Sequence, residues 1–379
     1  MIWAILFWLS VYLIYHTYVR YPERMRRKAT TYEPFEKDFE QWPRIDLLIA
    51  AYNEEKIIEA KIQSCLNSNY PPELIRVVVG SDCSSDATDS LVNQWTKKDS
   101  RVQLQRFHER TGKPEIINVL AASSEADILV LSDADTLFNP DTLKELVRPF
   151  VERTVGGVQA HFTSIAESGS DVAEQELAYN SRELEIKKGQ STEGLVIGAY
   201  GACYAVRRSL YRPVPQGFVV DDFYVFMKVL EQDFETVYAE KATCTLEVSG
   251  KSKIEFKRKV RIGLGNYQNF FALKKFINPM SGRISAHYWS YKALRWATPF
   301  LLIVMALTNL LVVDRSPIFQ LLGYVQLLVY VLWPLDYVLR GFGVHVSFLR
   351  YLSHFMQMNL ALFIGFIRFL KGNSQGTWR

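Results

Sequence analysis

The sequence predicts an α/β protein with a mostly parallel sheet, flanked by transmembrane helices. Two observations carry this expectation. Between Trp42 and about Val248, short apolar runs of strand character alternate with helix-like runs, the pattern of βαβ units. Outside that region lie long apolar segments without formal charge, and a spanning helix needs about 20 mostly apolar residues.

Taken in order, the first element is Met1 to Val19, uncharged throughout. A signal peptide is disfavoured, because no basic stretch opens it and no small-residue cleavage site follows. The basic run RYPERMRRK, Arg20 to Lys28, comes next. Positive charge beside a span marks the cytoplasmic side, so the N-terminus is expected outside and the following domain in the cytoplasm. Strands are expected at Ile45–Tyr52, Ile75–Ser81, Val102–Phe107 and Ile128–Ser132, with helices at Glu54–Asn67, Asp86–Thr96 and Pro114–Ser124. Asn53 and Asn139 read as helix N-caps, the second with Pro140 at the first helical position. Further spans are expected at Trp296–Val313 and Ser316–Leu335, with Tyr351–Ile367 a weaker fourth. The layout is then a span over 1–19, a basic cytoplasmic linker over 20–41 and the α/β domain over 42–250. An amphipathic segment over 251–283, a membrane region of about three helices over 284–370 and a tail over 371–379 complete it.

Composition excludes some classes. A net charge of +4 in 379 residues is too small to imply a nucleic-acid partner. Cys65, Cys83, Cys203 and Cys244 form no C-x-x-C pair and read as buried small residues. The clear spans place no carboxylate at an apolar centre, which argues against a transporter.

Ligands of open α/β sheets bind at the carboxyl ends of strands. There the chain carries AYNE (Tyr52, Asn53, Glu54), SDCSSD (Asp82, Ser84, Ser85, Asp86) and DAD (Asp133, Asp135). Each turn alone has a plain structural explanation; three at successive strand ends suggest one polar rim. A carboxylate after the second strand suits a base or ribose. Two carboxylates at i and i+2 suit a hard divalent cation, Mg2+ or Mn2+, of the kind that stabilises a diphosphate leaving group. Gly112 and Lys113 open a helix, and Lys113 is either an exposed lysine or a contact to phosphate. Gly194 to Tyr211 holds three glycines that allow close backbone approach. Asp221 and Asp222 open an amphipathic helix, either answering its dipole or supplying a general base.

From about Ile45 to Gln268 these motifs resemble glycosyltransferase family 2, inverting enzymes with the GT-A (Rossmann-like) fold. AYNE is similar to the first-strand motif, VVVGSDCSSDAT to the nucleotide-binding turn and SDADT to the metal motif. The resemblance implies that Asp82 binds the base, with Tyr52, Asn53 and Glu54 assisting, while Asp133 and Asp135 hold the metal. IGAYGACYAVRRSLY resembles the acceptor-side loop, with Gly198, Gly201 and Ala202. In VVDDFYVFMKVLEQDFETVY, Asp222 falls on the catalytic base and Asp221 stands for the usual glutamate. The flanking spans resemble membrane-bound synthases of chitooligosaccharides and hyaluronan.

One departure stands out. Those processive enzymes carry Q-x-x-R-W where this chain has Arg258, Arg261 and Ile262. Arg261 keeps the implied diphosphate contact, with Arg258 beside it, but the tryptophan that packs on the acceptor sugar is missing. The same segment, with six basic residues from Lys251 to Arg261, also reads as an interfacial helix. The expected partners are a nucleotide sugar, a UDP-sugar by preference, a glycan or lipid acceptor, and membrane lipid. The rival readings are a processive polysaccharide synthase, a nucleotidyltransferase and a non-catalytic membrane assembly subunit.

Overall fold

The structure, a computed structural model, describes residues 1–166, 171–248, 252–342, 344 and 346–372. Lys251 in the basic segment and Arg379 in the tail lie outside them. The described residues form two compact units, one within 24–248 and the other within 1–23 and 252–372.

The second of these opens with α1 (Ile2–Tyr15), continues through a π-helical turn at His16–Arg20, and runs into α2 (Tyr21–Ala29). The α/β unit follows. It comprises β1 (Ile45–Ala51), α3 (Ile58–Leu66), β2 (Ile75–Ser81), α4 (Thr88–Lys98), β3 (Val102–Arg106), α5 (Lys113–Ala122) and β4 (Ile128–Asp133). After these come β5 (Thr136–Phe138), α6 (Thr142–Val147), β6 (Val155–Ala166), α7 (Asp171–Ser191), β7 (Cys203–Arg207), α8 (Asp221–Glu231) and β8 (Glu235–Val248).

The sheet runs β3-β2-β1-β4-β7-β6-β8-β5. The first four strands are parallel, as the βαβ pattern predicts. β7 is antiparallel to both β4 and β6, and β5 is antiparallel to β8, while β6 and β8 pair in parallel. The sheet is therefore mixed. All seven residues of β1 are buried, as expected for a central strand covered on both faces. Register fixes the rim: Ala51 of β1 pairs with Ser81 of β2, and Ala50 pairs with Asp133 of β4. The residues that follow these strands are thus delivered side by side.

Both predicted N-caps are corrected. Asn53 has φ 55°, a left-handed conformation that Asn tolerates better than most residues, and α3 begins only at Ile58. Its side-chain oxygen accepts from the Ser85 N–H at 2.9 Å, tying two rim turns together. α6 begins at Thr142 rather than Pro140, because the Pro140 carbonyl accepts the Asn69 N–H at 2.8 Å. The cysteine expectation fails at one position. Cys65, Cys203 and Cys244 are buried, but Cys83 is half-exposed in the rim turn, with φ 57°.

In the remaining unit, α9 (Ser252–Ala272), α10 (Arg283–Tyr288), α11 (Leu294–Leu310), α12 (Pro317–Gly341) and α13 (Ser347–Leu370) follow in order. Among the described residues, three helical stretches are long and apolar enough to cross a membrane: Ile2–Ala29, Arg283–Leu310 and Pro317–Leu339. The weaker fourth segment forms α13 but does not reach that standard among the described residues. It carries Arg350, nearly buried and 3.3 Å from Asp336 of α12. α9 packs closely on α13. A Cβ on Gly365 of α13 would lie 2.7 Å from the Gly263 carbonyl carbon, so the two backbones touch. Tyr267 of α9 sets its ring 5.0 Å from that of Phe366.

Candidate active site

The rim is laced from turn to turn before any ligand is considered. The Glu54 N–H donates to Thr88 Oγ1 at 2.8 Å and the Asn53 N–H to Ser84 Oγ at 3.2 Å. The Ala87 N–H donates to Glu55 Oε2 at 3.0 Å. These bonds hold the AYNE turn against the SDCSSD turn.

Asp82 is fully buried. Its carboxylate accepts the backbone N–H of Thr111 at 2.6 Å, that of Gly112 at 3.2 Å, and Arg110 Nε at 3.1 Å. Gly112 adopts φ +91°, which lets the chain fold back onto the carboxylate. The Arg110 guanidinium lies 3.3 Å from the Tyr52 ring centroid. Asp82 and Tyr52, expected at a nucleoside site, are thus joined by Arg110, which the sequence reading missed.

Lys113, first residue of α5, reaches the D-x-D turn. Its Nζ donates to Asp133 Oδ1 at 2.5 Å and stands 3.8 Å from Asp221 Oδ2. Burial by itself would depress the Lys113 ammonium, but Asp133, Asp221 and Asp222 overcome it and its pKa is raised. Gly201 marks where these groups converge. A Cβ built there would lie 3.1 Å from Asp133 Oδ2, 3.3 Å from Lys113 Nζ and 3.4 Å from Asp222 Oδ2. The Gly201 carbonyl also accepts the Asp133 N–H at 3.1 Å. Glycine leaves this point open; any side chain would fill it.

The loop before Gly201 is held from behind. Gly198 has φ +70°, and a Cβ there would meet the Phe223 ring at 2.1 Å. Lys187 donates to the Ile197 carbonyl at 2.8 Å and Gln190 Oε1 accepts the Ile197 N–H at 3.1 Å. Gln159 Oε1 accepts the Tyr200 N–H at 2.6 Å. The Ala202 carbonyl accepts from Ser132 Oγ at 2.6 Å. Lys187 and Gln159 have no motif to announce them.

The carboxylates crowd one another. Burial, then the charges of Asp135, Asp133 and Asp86, push Glu54 from 4.5 up to about 7. Desolvation by the surrounding protein and the Asp133 charge raise Asp135. Burial and then Asp221 raise Asp222, whose Oδ1 accepts the Phe223 N–H at 2.7 Å. Like charges this close disfavour joint ionisation, so the cluster is short of positive charge. Among the described residues no three His, Cys, Asp or Glu side chains stand ready to hold a metal ion unaided. The donor set fits a hard cation that takes further oxygen ligands from elsewhere. Arg258 and Arg261 lie on α9 in the other unit, where Arg258 pairs with Glu255 at 3.4 Å.

A mixed, mostly parallel sheet with a buried aspartate after β2 and a D-x-D turn at the end of β4 defines a GT-A-type α/β protein. Residues 46–214 match the model for Glycosyl transferase family 2, and the chain carries a glycosyltransferase domain of that family. The probable glycosyltransferase YdaM of Bacillus subtilis (strain 168) is 28% identical over 135 residues, 33% of this chain and 31% of that protein. A poly-beta-1,6-N-acetyl-D-glucosamine synthase of Staphylococcus epidermidis is 23% identical over 235 residues, 61% of this chain and 56% of that protein. The matches therefore span about half or less of these curated relatives. Mannosyltransferase PcManGT from Pyrobaculum calidifontis, solved in complex with GDP-Man and Mn2+, shares the fold. Its TM-score is 0.69 at 19% identity, covering 96% of this chain and 99% of that one.

Proposed function

We propose that the chain is a membrane-integrated, inverting glycosyltransferase. It would move a sugar from a nucleoside-diphosphate donor, by preference a UDP-sugar, to a membrane-associated acceptor, forming a β-glycoside. The observation that carries this reading is the convergence of Asp133, Lys113 and Asp222 on the open point at Gly201, on the rim that also bears Asp82.

In this reading Asp82 and Tyr52, with the AYNE turn, hold the nucleoside, and Lys113 faces the diphosphate. Asp133 and Asp135 would hold a divalent cation, whose chemistry is to offset the charge that develops on the leaving diphosphate. Arg258 and Arg261 are proposed as further diphosphate contacts. Asp222 takes the proton of the acceptor hydroxyl while its oxygen bonds to the anomeric carbon. The bond from that carbon to the diphosphate breaks on the opposite face, and the nucleoside diphosphate leaves with the electron pair. A raised carboxyl pKa suits a general base working near neutrality. Asp221, Gly198, Gly201 and Ala202 border the acceptor side.

The acceptor is proposed to gain one or a few sugars. Ile262, half-buried on α9, offers no flat face to a sugar ring where processive relatives carry tryptophan. A processive polymerase is the second reading, favoured by the synthase match above. A panel of nucleotide sugars and acceptors, offered to the purified chain in lipid, tests both readings by mass spectrometry and size-resolved products. Nucleoside-diphosphate release with short products is expected. A high-molecular-weight polymer without short intermediates establishes the second reading. Release of inorganic diphosphate instead points to nucleotidyl transfer.

A further inference from the structure

Lys61 is fully buried in α3. Its Nζ donates to Ser132 Oγ at 2.7 Å and to the Thr136 carbonyl at 2.6 Å, and lies 3.6 Å from the Phe138 ring centroid. No carboxylate pairs with it among the described residues. Lysines are almost never fully buried unless paired, and an ammonium whose hydrogen-bond acceptors are both neutral is costly to desolvate, although its charge also acts on the nearby Asp135. Merely filling this space would be done better by Met or Leu.

The two acceptors explain the choice. Ser132 and Thr136 bracket the D-x-D turn, one residue before Asp133 and one after Asp135. One ammonium therefore pins both ends of the turn. Ser132 Oγ, which accepts from Lys61, donates onward to the Ala202 carbonyl at 2.6 Å. Ala202 adjoins Gly201, the point where Asp133, Lys113 and Asp222 meet. A chain of bonds thus runs from the α3 core through the D-x-D turn into the glycine loop.

We propose that Lys61 is a positioning residue, which holds the Asp133–Asp135 turn in register with the Gly201 loop so that its carboxylates can grip a divalent cation. This rests on the reading of that turn as a metal site, and goes beyond it by assigning the group that sets its geometry.

The sign of one measurement separates positioning from charge or packing. Deleting a nearby cation should by Coulomb's law tighten binding of another cation; loosening the turn should weaken it. Mn2+ alone would be titrated into the full-length chain and followed by electron paramagnetic resonance, alongside the thermal melt. Lys61→Met should weaken Mn2+ binding by about 10–100-fold, the usual effect of losing a group that orients metal ligands. Ser132→Ala should weaken it too, and the double variant should add little to the larger single effect. Unchanged or tighter Mn2+ binding in Lys61→Met overturns the proposal, as does additivity of the two substitutions. If Lys61→Met does not fold, Ser132→Ala decides alone, and wild-type Mn2+ affinity in it overturns the proposal. A wild-type chain that binds no Mn2+ overturns the inference together with the metal reading. Absence of sugar transfer despite the expected Mn2+ shifts overturns only the donor reading.

Discussion

Individual residues decide what the site can do chemically. Asp222→Asn should lower transfer by roughly 10²–10⁴-fold, the usual worth of general-base assistance, and leave donor binding measured by calorimetry near wild type. Because burial and Asp221 raise its pKa, the acid limb of the wild-type rate profile should lie above the ordinary carboxylate range. Normal turnover by the variant would exclude Asp222 as the base. Gly201→Ala places a methyl group about 3 Å from Asp133, Lys113 and Asp222. Transfer should fall on the order of 10²-fold, as for small misplacements of reacting groups, with the melt unchanged; a fully active variant contradicts the convergence. Glu54 gives a stability test. Its pKa rises from 4.5 to about 7 on folding, so the folded chain holds this proton more tightly than the unfolded one. Stability from this group is complete below the lower value and is lost as pH rises through the upper one. In chelator, Glu54→Gln should therefore raise the melting temperature over wild type at pH 8 more than at pH 5. An equal offset at both pH values would refute the assignment.

At the level of elements, contact between backbones holds α9 to α13. Gly365 approaches the Gly263 carbonyl carbon and the Leu264 nitrogen so closely that a Cβ would sit 2.7 Å from each. Small residues at helix crossings permit such approach, and packing supplies the attraction in a membrane, where the hydrophobic effect between helices is weak. Gly365→Ala should cost about 1–3 kcal/mol, the range for overpacking, seen as an earlier thermal transition in detergent. A stability equal to wild type would mean that the helices separate freely. The first helix is held differently. His16 Nε2 lies 2.9 Å from Ser290 Oγ, Thr17 Oγ1 donates to the Ser290 carbonyl at 2.8 Å, and Tyr21 Oη lies 2.9 Å from His287 Nδ1. The π-helical turns at His16–Arg20 and Trp289–Ala293 supply the residues for the first two of these bonds, and the third joins Tyr21 of α2 to His287 of α10. Such turns often mark functional positions in helices.

For the molecule as a whole, the testable quantity is membrane topology. Two candidate spans, Arg283–Leu310 and Pro317–Leu339, separate Thr30 from Lys371. An even number of crossings returns the chain to its starting side, and Arg368 and Lys371 agree with Arg20 to Lys28 under the positive-inside rule. Cysteines introduced as Thr30→Cys and Lys371→Cys, in a Cys83→Ser background, should both resist an impermeant reagent in intact cells and label after lysis. Labelling of Lys371→Cys alone in intact cells would make α13 a fourth span. External labelling of Thr30→Cys would reverse the orientation.

The sequence by itself determined the parallel half of the sheet, because a strand buried on both faces must be a short apolar run, and β1, β2 and β4 are such runs. It also determined the rim, since parallel strands in register end side by side and whatever follows them must meet. Tyr52, Asp82 and Asp133 were therefore legible. The mixed half was decided by tertiary structure, because the direction of β7, the parallel pairing of β6 with β8 and the antiparallel pairing of β5 with β8 depend on long-range contacts that leave no local period. The start of α3 was decided there too: Asn53 looks like a cap, but its side chain bonds Ser85, thirty-odd residues away. Lys61 shows the boundary between the two most clearly. Ile58, Lys61, Ile62 and Cys65 share one buried face of α3, so the sequence displays a charge in an apolar stripe. Only the fold shows what that charge faces, since Ser132 and Thr136 reach it from another part of the chain and Ala202 joins through Ser132 from a third.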